Sequence, residues 1–141
     1  MYTVILPVDS DEERGKTAAE YLTTLPGSPT DVDVVVLTVL KDSDLIGGDG
    51  SYVHAEDLDD RDSMSRTNQS VTEFLRDEGI KATSRIEQGV PHETILRVAD
   101  DVDADGIVIV RRDRSPVGKA IFGSVTQKVL LSAEQPVTVL Q

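Results

Sequence analysis

Short apolar runs alternate along this chain with segments whose apolar residues recur at helical spacing. Tyr2 to Val8 is such a run, rich in β-branched residues and closing on Pro7-Val8-Asp9. Strands buried on both faces, as in parallel sheets, read this way. Ser10 with Glu13 three residues on forms a capping box and predicts a helix start. Ala18, Ala19, Tyr21, Leu22 and Leu25 supply its apolar stripe, and Pro26-Gly27-Ser28-Pro29 ends it. Asp33 to Leu40 predicts a second buried strand. From Lys41 to about Ser63 the sequence is polar, acidic and glycine-bearing, a long loop of the kind that is functional or disordered. A helix over roughly Asp62 to Glu78 follows, with Met64, Val71, Phe74 and Leu75 as a sparse apolar face and Gly79 as its stop. Ile80 to Glu87 alternates, which predicts a half-exposed strand near a sheet edge. Gly89-Val90-Pro91 turns into a third helix with Pro91 at its first position and Ile95, Leu96, Val98 and Ala99 facing inward.

The C-terminal part continues the alternation. Asp105-Gly106 leads into a strand at Ile107–Val110. A fourth helix is predicted from about Ser124 to Ala133, with Val125, Val129 and Leu130 inward and a second capping box at Ser124 and Gln127. Pro136 to Leu140 predicts a short last strand. Strands alternating with helices imply an α/β fold: a doubly wound parallel sheet, helices on both faces. No internal repeat or linker interrupts the chain, and its 141 residues fit a single domain, 1–141.

Charge narrows the function classes. Acidic residues number 26 against 14 basic, a formal net charge of -12. That disfavours nucleic acid or an anionic membrane as partner, since both want a basic face. The dominance of Asp, the scarcity of Lys and the few aromatics are the habit of proteins from salt-loving cells, whose cytoplasm screens the repulsion. Cysteine is absent, so disulfides and thiolate chemistry are excluded. The opening residues lack a basic segment and reach Pro7 and Asp9 too soon for a signal peptide. No apolar run nears the roughly 20 residues of a membrane span. These features predict a soluble cytoplasmic protein.

Candidate chemistry concentrates between Ile107 and Val125. There a β-branched strand enters a loop holding Arg111, Arg112, Arg114 and Lys119, and then Gly123-Ser124 opens an apolar-faced helix. Strand, basic loop and helix start form the layout in which α/β proteins hold phosphate, because a helix N-terminus offers free N–H groups and a positive dipole end. In such sheets ligands sit at the carboxyl ends of strands where strand order switches. That selects Asp9, Val39-Leu40 and the segment from Arg111 onward. Asp9 can hydrogen-bond a ribose or base, although beside Ser10 a capping role explains it as well.

Most other motifs fail. Gly118-Lys119-Ala120 ends like a P-loop, but Asp113 stands where the first glycine belongs and Ala120 where a metal-binding hydroxyl belongs. Asp42-Ser43-Asp44 opens like an EF-hand, but Ile46 and Val53 occupy ligand positions. His54, Glu56 and Asp57 suit a solvated acidic loop better than a metal site. Asn68-Gln69-Ser70 matches a glycosylation sequon too short to weigh. No serine sits in a nucleophile elbow, and no catalytic residue or metal site is predicted.

Taken end to end, the chain resembles a single-domain universal stress protein. The resemblance rests on Leu6-Pro7-Val8-Asp9-Ser10, Leu37-Thr38-Val39, Gly89-Val90-Pro91 with Ile95, and the block from Arg114-Ser115 through Gly123-Ser124-Val125 to Lys128-Val129-Leu130 and Pro136-Val137-Thr138-Val139. It implies a three-layer, flavodoxin- or Rossmann-like sheet of five parallel strands ordered 3-2-1-4-5. It also implies a homodimer through the last strand, with Val137, Val139 and Leu140 at the interface. ATP-binding members carry G-2x-G-9x-G-[ST] after the fourth strand. Here Gly123-Ser124 keeps the last pair, while Val110 and Asp113 replace the first two glycines. Glycines there let the backbone approach phosphates and adopt positive φ, whereas Val110 adds bulk and Asp113 a like charge.

Two readings follow from the resemblance. In one, a nucleotide is held by Pro7, Val8, Asp9, Val39, Arg111, Arg112, Arg114, Gly123, Ser124 and Val125, with ATP or AMP as ligand. In the other, nucleotide binding is lost along with the glycines, the arginines pair with surface carboxylates, and the chain is a dimeric regulatory stress-response protein with an unknown protein partner and no required cofactor. Val110 and Asp113 weigh toward the second reading. An ATPase is the weakest expectation, for want of a catalytic base and a metal-binding set.

Overall fold

The computed structural model describes residues 1–41, 55–111 and 123–140. Five strands alternate with four helices: β1 (Tyr2–Pro7), α1 (Glu12–Leu22), β2 (Val32–Leu40), α2 (Ala55–Asp77), β3 (Lys81–Gln88), α3 (Pro91–Asp101), β4 (Gly106–Val110), α4 (Ser124–Ser132) and β5 (Val137–Leu140). All strand pairs are parallel and the order is β3-β2-β1-β4-β5. Connections from β1 run outward one way to β2 and β3, then back across to β4 and β5. The order therefore switches between β1 and β4, where parallel sheets open a crevice at their carboxyl ends.

Alternation along the central strands builds two cores. Val4, Leu6 and Val8 of the first strand and its continuation join Val32, Val34 and Val36 against α1 and α2. Ile5, with Val35, Leu37 and Val39, faces α3 and α4 together with Ile107 and Ile109. Successive strand residues point to opposite faces, so a strand that is apolar at every position is covered on both. Register is fixed through the centre, with Ile5 level with Val35 on one side and Ile107 on the other.

A buried polar network ties α2 to the sheet. Asn68 is fully buried, and its Nδ2 donates to the Val36 carbonyl at 3.0 Å and to Thr38 Oγ1 at 2.9 Å. Ser84 Oγ donates to Asn68 Oδ1, and Thr72 Oγ1 donates to the Asn68 carbonyl at 2.7 Å. Thr38 Oγ1 in turn donates to the Val8 carbonyl at 3.4 Å. The sequon asparagine is thus a core residue.

Several predicted details change. The α1 cap is Asp11 rather than Ser10: the Asp11 carboxylate accepts from the Arg14 amide at 3.0 Å, while Asp9 accepts from the Asp11 amide at 2.8 Å. Two consecutive aspartate turns displace the Ser10–Glu13 box. The second helix starts at Ala55, not near Asp62, so the polar segment 55–61 is helical; its low apolar content hid the helical period. At α4 the N-cap is Gly123 and no side chain caps it, so Ser124 and Gln127 form no box. Leu130, expected inward, is exposed at the surface, since Thr126 and Val129 carry the buried face of that short helix. In β3, Ala82 is buried but Ile86 is exposed, the edge strand being covered over its first half only. Gly79 does stop α2, with φ of 85°, a conformation glycine adopts at no steric cost.

Candidate functional site

A cavity of about 190 Å³ opens at the carboxyl ends of β1, β2 and β4, where the strand order switches. Pro7, Val8 and Asp9 come from the end of β1, Leu37, Val39 and Lys41 from β2, and Ile109 and Val110 from β4. Gly123, Ser124, Val125 and Thr126 of the α4 start and Pro91 and Ile95 of α3 complete the described lining. Parallel strands all end on this side, so loops and helix starts distant in sequence converge there.

The two ends of the cavity differ in chemistry. On the α4 side, Gly123 has extended backbone angles (φ -60°, ψ 160°) and the first turn carries no acidic residue. By contrast, α1 holds Glu12 and Glu13 and α3 holds Glu93 in their first turns. Among the described residues no side chain caps α4, and a helix N-terminus is the dipole end that attracts anions. At the α1 side, Arg14 Nη2 donates to Asp9 Oδ2 at 2.8 Å, and Arg14 Nη1 lies 3.4 Å from Asp11 Oδ2. Between the ends run aliphatic walls: Val8, Val39, Ile95, Ile109 and Val125.

Of the residues expected to hold a nucleotide, Pro7, Val8, Asp9, Val39, Gly123, Ser124 and Val125 are brought together on this lining, and so is the departure Val110. Arg111 stands outside the lining; its amide donates to the Leu140 carbonyl at 2.8 Å, which extends the β4–β5 ladder. Arg112, Asp113 and Arg114, the P-loop-like Gly118-Lys119-Ala120, the EF-hand-like opening and His54 lie outside the described residues. Val137, Val139 and Leu140 are half-buried on the edge strand β5. Among the described residues, no group of three or more His, Cys, Asp or Glu is placed to hold a metal ion. No helix there is long and apolar enough to cross a membrane.

Sequence reasoning missed Arg14, Lys41, Met64, Pro91, Ile95 and Thr126, all on the lining. A signal for Arg14 was present. It is the third residue of α1, and helical side chains lean toward their own N-terminus. A cation at that position reaches back to the carboxylate ending the preceding strand. Thr126 and Met64 carry no such signal, since only the packing of α4 and α2 decides which face meets the cavity.

Comparison with known proteins settles the family. The model of the universal stress protein family matches residues 1–141. The chain belongs to the universal stress protein family. A universal stress protein from Mycolicibacterium smegmatis is 38% identical over 81 residues, 57% of this chain and 62% of that protein. The chain spans about half to three-fifths of the length of the curated relatives it matches. Among solved structures, a universal stress protein from Archaeoglobus fulgidus is 30% identical, with a TM-score of 0.72 over 100% of this chain and 99% of that one. A universal stress protein from the same organism in complex with dAMP is 26% identical, with a TM-score of 0.65 over 100% and 98% of the two chains. The five-stranded 3-2-1-4-5 sheet is the fold shared with these family members.

Proposed function

We propose that this chain is a regulatory stress-response protein whose cavity takes a purine nucleoside monophosphate and does not turn it over. The observation that carries the reading is the cavity itself, with an uncapped, acid-free helix start at one end, aliphatic walls and a polar pair at the other. A phosphate fits the α4 first turn, a flat base fits between Val39 and the opposing aliphatic side chains, and Asp9 with Arg14 faces the base edge. The dAMP complex of the Archaeoglobus fulgidus relative supports the ligand class. Val110 adds bulk on the same wall, and Asp113 adds negative charge to the loop that follows.

The proposal includes no turnover, a reading that the described part of the lining supports. Among the described lining residues Asp9 is the sole carboxylate, held by Arg14, and none is a histidine. In-line phosphoryl transfer needs a positioned base or water-orienting group and a metal set. Pairing of β5 with a second copy, through Val137, Val139 and Leu140, makes the homodimer. Calorimetric titration with AMP and ATP-Mg²⁺ in molar KCl is the experiment. The proposal expects saturable AMP binding in the micromolar range and ATP at least tenfold weaker. Absence of saturation with either ligand would return the account to a dimeric regulator without nucleotide, the reading that Val110's bulk favours.

A further inference from the structure

Val110, the last residue of β4, puts an isopropyl group on the cavity lining. The side chain has little freedom to move aside. It is branched at Cβ, which restricts χ1, and it packs against the core that Val4, Leu6 and Val108 share with α1 and α2. Its backbone is level with Leu140 of β5, and the next amide, of Arg111, donates to the Leu140 carbonyl at 2.8 Å. In the sheet β1 lies between β2 and β4. With the base beside Val39 and the phosphate at the α4 start, as proposed above, the sugar falls at the adjoining ends of β1 and β4. Beside Val110, the described lining there is Pro7, Val8, Asp9 and Ile109. Polar groups at these ends are already engaged. Pro7 has no N–H, and the Val8 N–H donates to the Leu37 carbonyl at 2.9 Å. Asp9 Oδ1 accepts from the Asp11 amide and Oδ2 from Arg14, both at 2.8 Å.

We infer that Val110 makes this site select a 2′-deoxyribonucleoside monophosphate over its ribose counterpart. The inference rests on the nucleotide reading above and names the sugar that the reading leaves open. The two ligands differ by one hydroxyl, so their base and phosphate contacts cancel in the comparison. In water the 2′-hydroxyl donates one hydrogen bond and accepts up to two. Against an isopropyl wall, beside amides and a carboxylate that are already bonded, it gives up water without equivalent partners. A polar group desolvated in that way costs affinity. A 2′-methylene has no such bonds to lose and gains dispersion contact with Val110. The ligand of the Archaeoglobus fulgidus complex, dAMP, is of this class.

Calorimetric titration of the full chain with dAMP and with AMP, in molar KCl, tests this. We expect dAMP to bind about fivefold tighter, inside the roughly hundredfold limit that an apolar wall sets on rejecting an added hydroxyl. Val110→Thr keeps the branched shape and sets a hydroxyl on the wall, so the two affinities should come within about twofold of each other. Val110→Gly removes the wall and should narrow the ratio in the same way, chiefly by tightening AMP. Thermal melts of both variants confirm that they are folded at the titration temperature. AMP binding as tightly as dAMP to the wild-type chain, or a full dAMP preference kept by both variants, would overturn the inference and leave the nucleotide reading intact. Failure of both ligands to bind the wild-type chain would overturn both.

Discussion

Replacing Asn68 by alanine is the most informative perturbation of the scaffold beneath the site. The side chain is fully buried and gives two bonds of 3.0 and 2.9 Å, to the Val36 carbonyl and to Thr38 Oγ1. It receives a third from Ser84 Oγ. A net contribution of about 1 kcal/mol per bond gives about 3 kcal/mol, and leaving Thr38 partly unsatisfied in a dry interior adds about another 1 kcal/mol. Alanine returns roughly 0.5 kcal/mol through its higher helix propensity. The balance is a loss of about 3.5 kcal/mol, or a fall in melting temperature of roughly 12 °C for a chain of this length. Circular-dichroism melts and urea titrations of wild type, Asn68→Ala, Ser84→Ala and the double variant, at one fixed KCl concentration, measure it. The double cycle should show a coupling of about 1 kcal/mol between the two side chains. A loss under about 0.5 kcal/mol in Asn68→Ala would refute the claim that this network holds α2 on the sheet.

Other consequences are as open to measurement. Gly15 packs α1 against α2 so closely that an added Cβ would meet Val71 Cγ2 at 2.8 Å and Thr67 Cγ2 at 3.3 Å. Gly15→Ala should therefore destabilise by about 1 kcal/mol, overpacking outweighing the helix-propensity gain, and a more stable variant by urea titration would contradict this. Val139→Asp places a charge on the β5 edge and should yield monomers by light scattering; a variant still dimeric would point to another interface. With a net charge of -12, self-repulsion should make the melting temperature rise with KCl, and a flat or falling curve would reject the salt-adapted reading.

How much of this was legible in the sequence depends on the physical origin of each feature. Strand identity and order in the chain follow from β-branched runs such as Val34 to Val39, because burial on both faces leaves an unmistakable pattern. Gly79 and Pro91 marked helix ends because their backbone requirements are local. Caps were less legible, since Asp9, Ser10, Asp11 and Ser124 all have cap-forming side chains and only three-dimensional geometry selects among them. The start of α2 escaped because residues 55–61 lack an apolar stripe. At the site, Asp9, Val39 and Gly123-Ser124 were readable from strand ends and a helix start. Arg14 was hidden by its place within an acidic first turn, and Thr126 by its dependence on how α4 docks. The departures Val110 and Asp113 were legible against the family's glycine pattern, whereas the cavity beside Val110 exists only once α3 and α4 pack on the sheet.

The central claim is that this cavity holds a purine nucleotide. Amide chemical shifts followed by NMR during titration with AMP test it most directly, because they report binding and its location together. The account predicts saturable shifts confined to Val8, Asp9, Val39, Val110 and Ser124 to Thr126, with α2's outer face and β3 unmoved. Shifts absent at millimolar AMP, or saturating elsewhere on the surface, would contradict it.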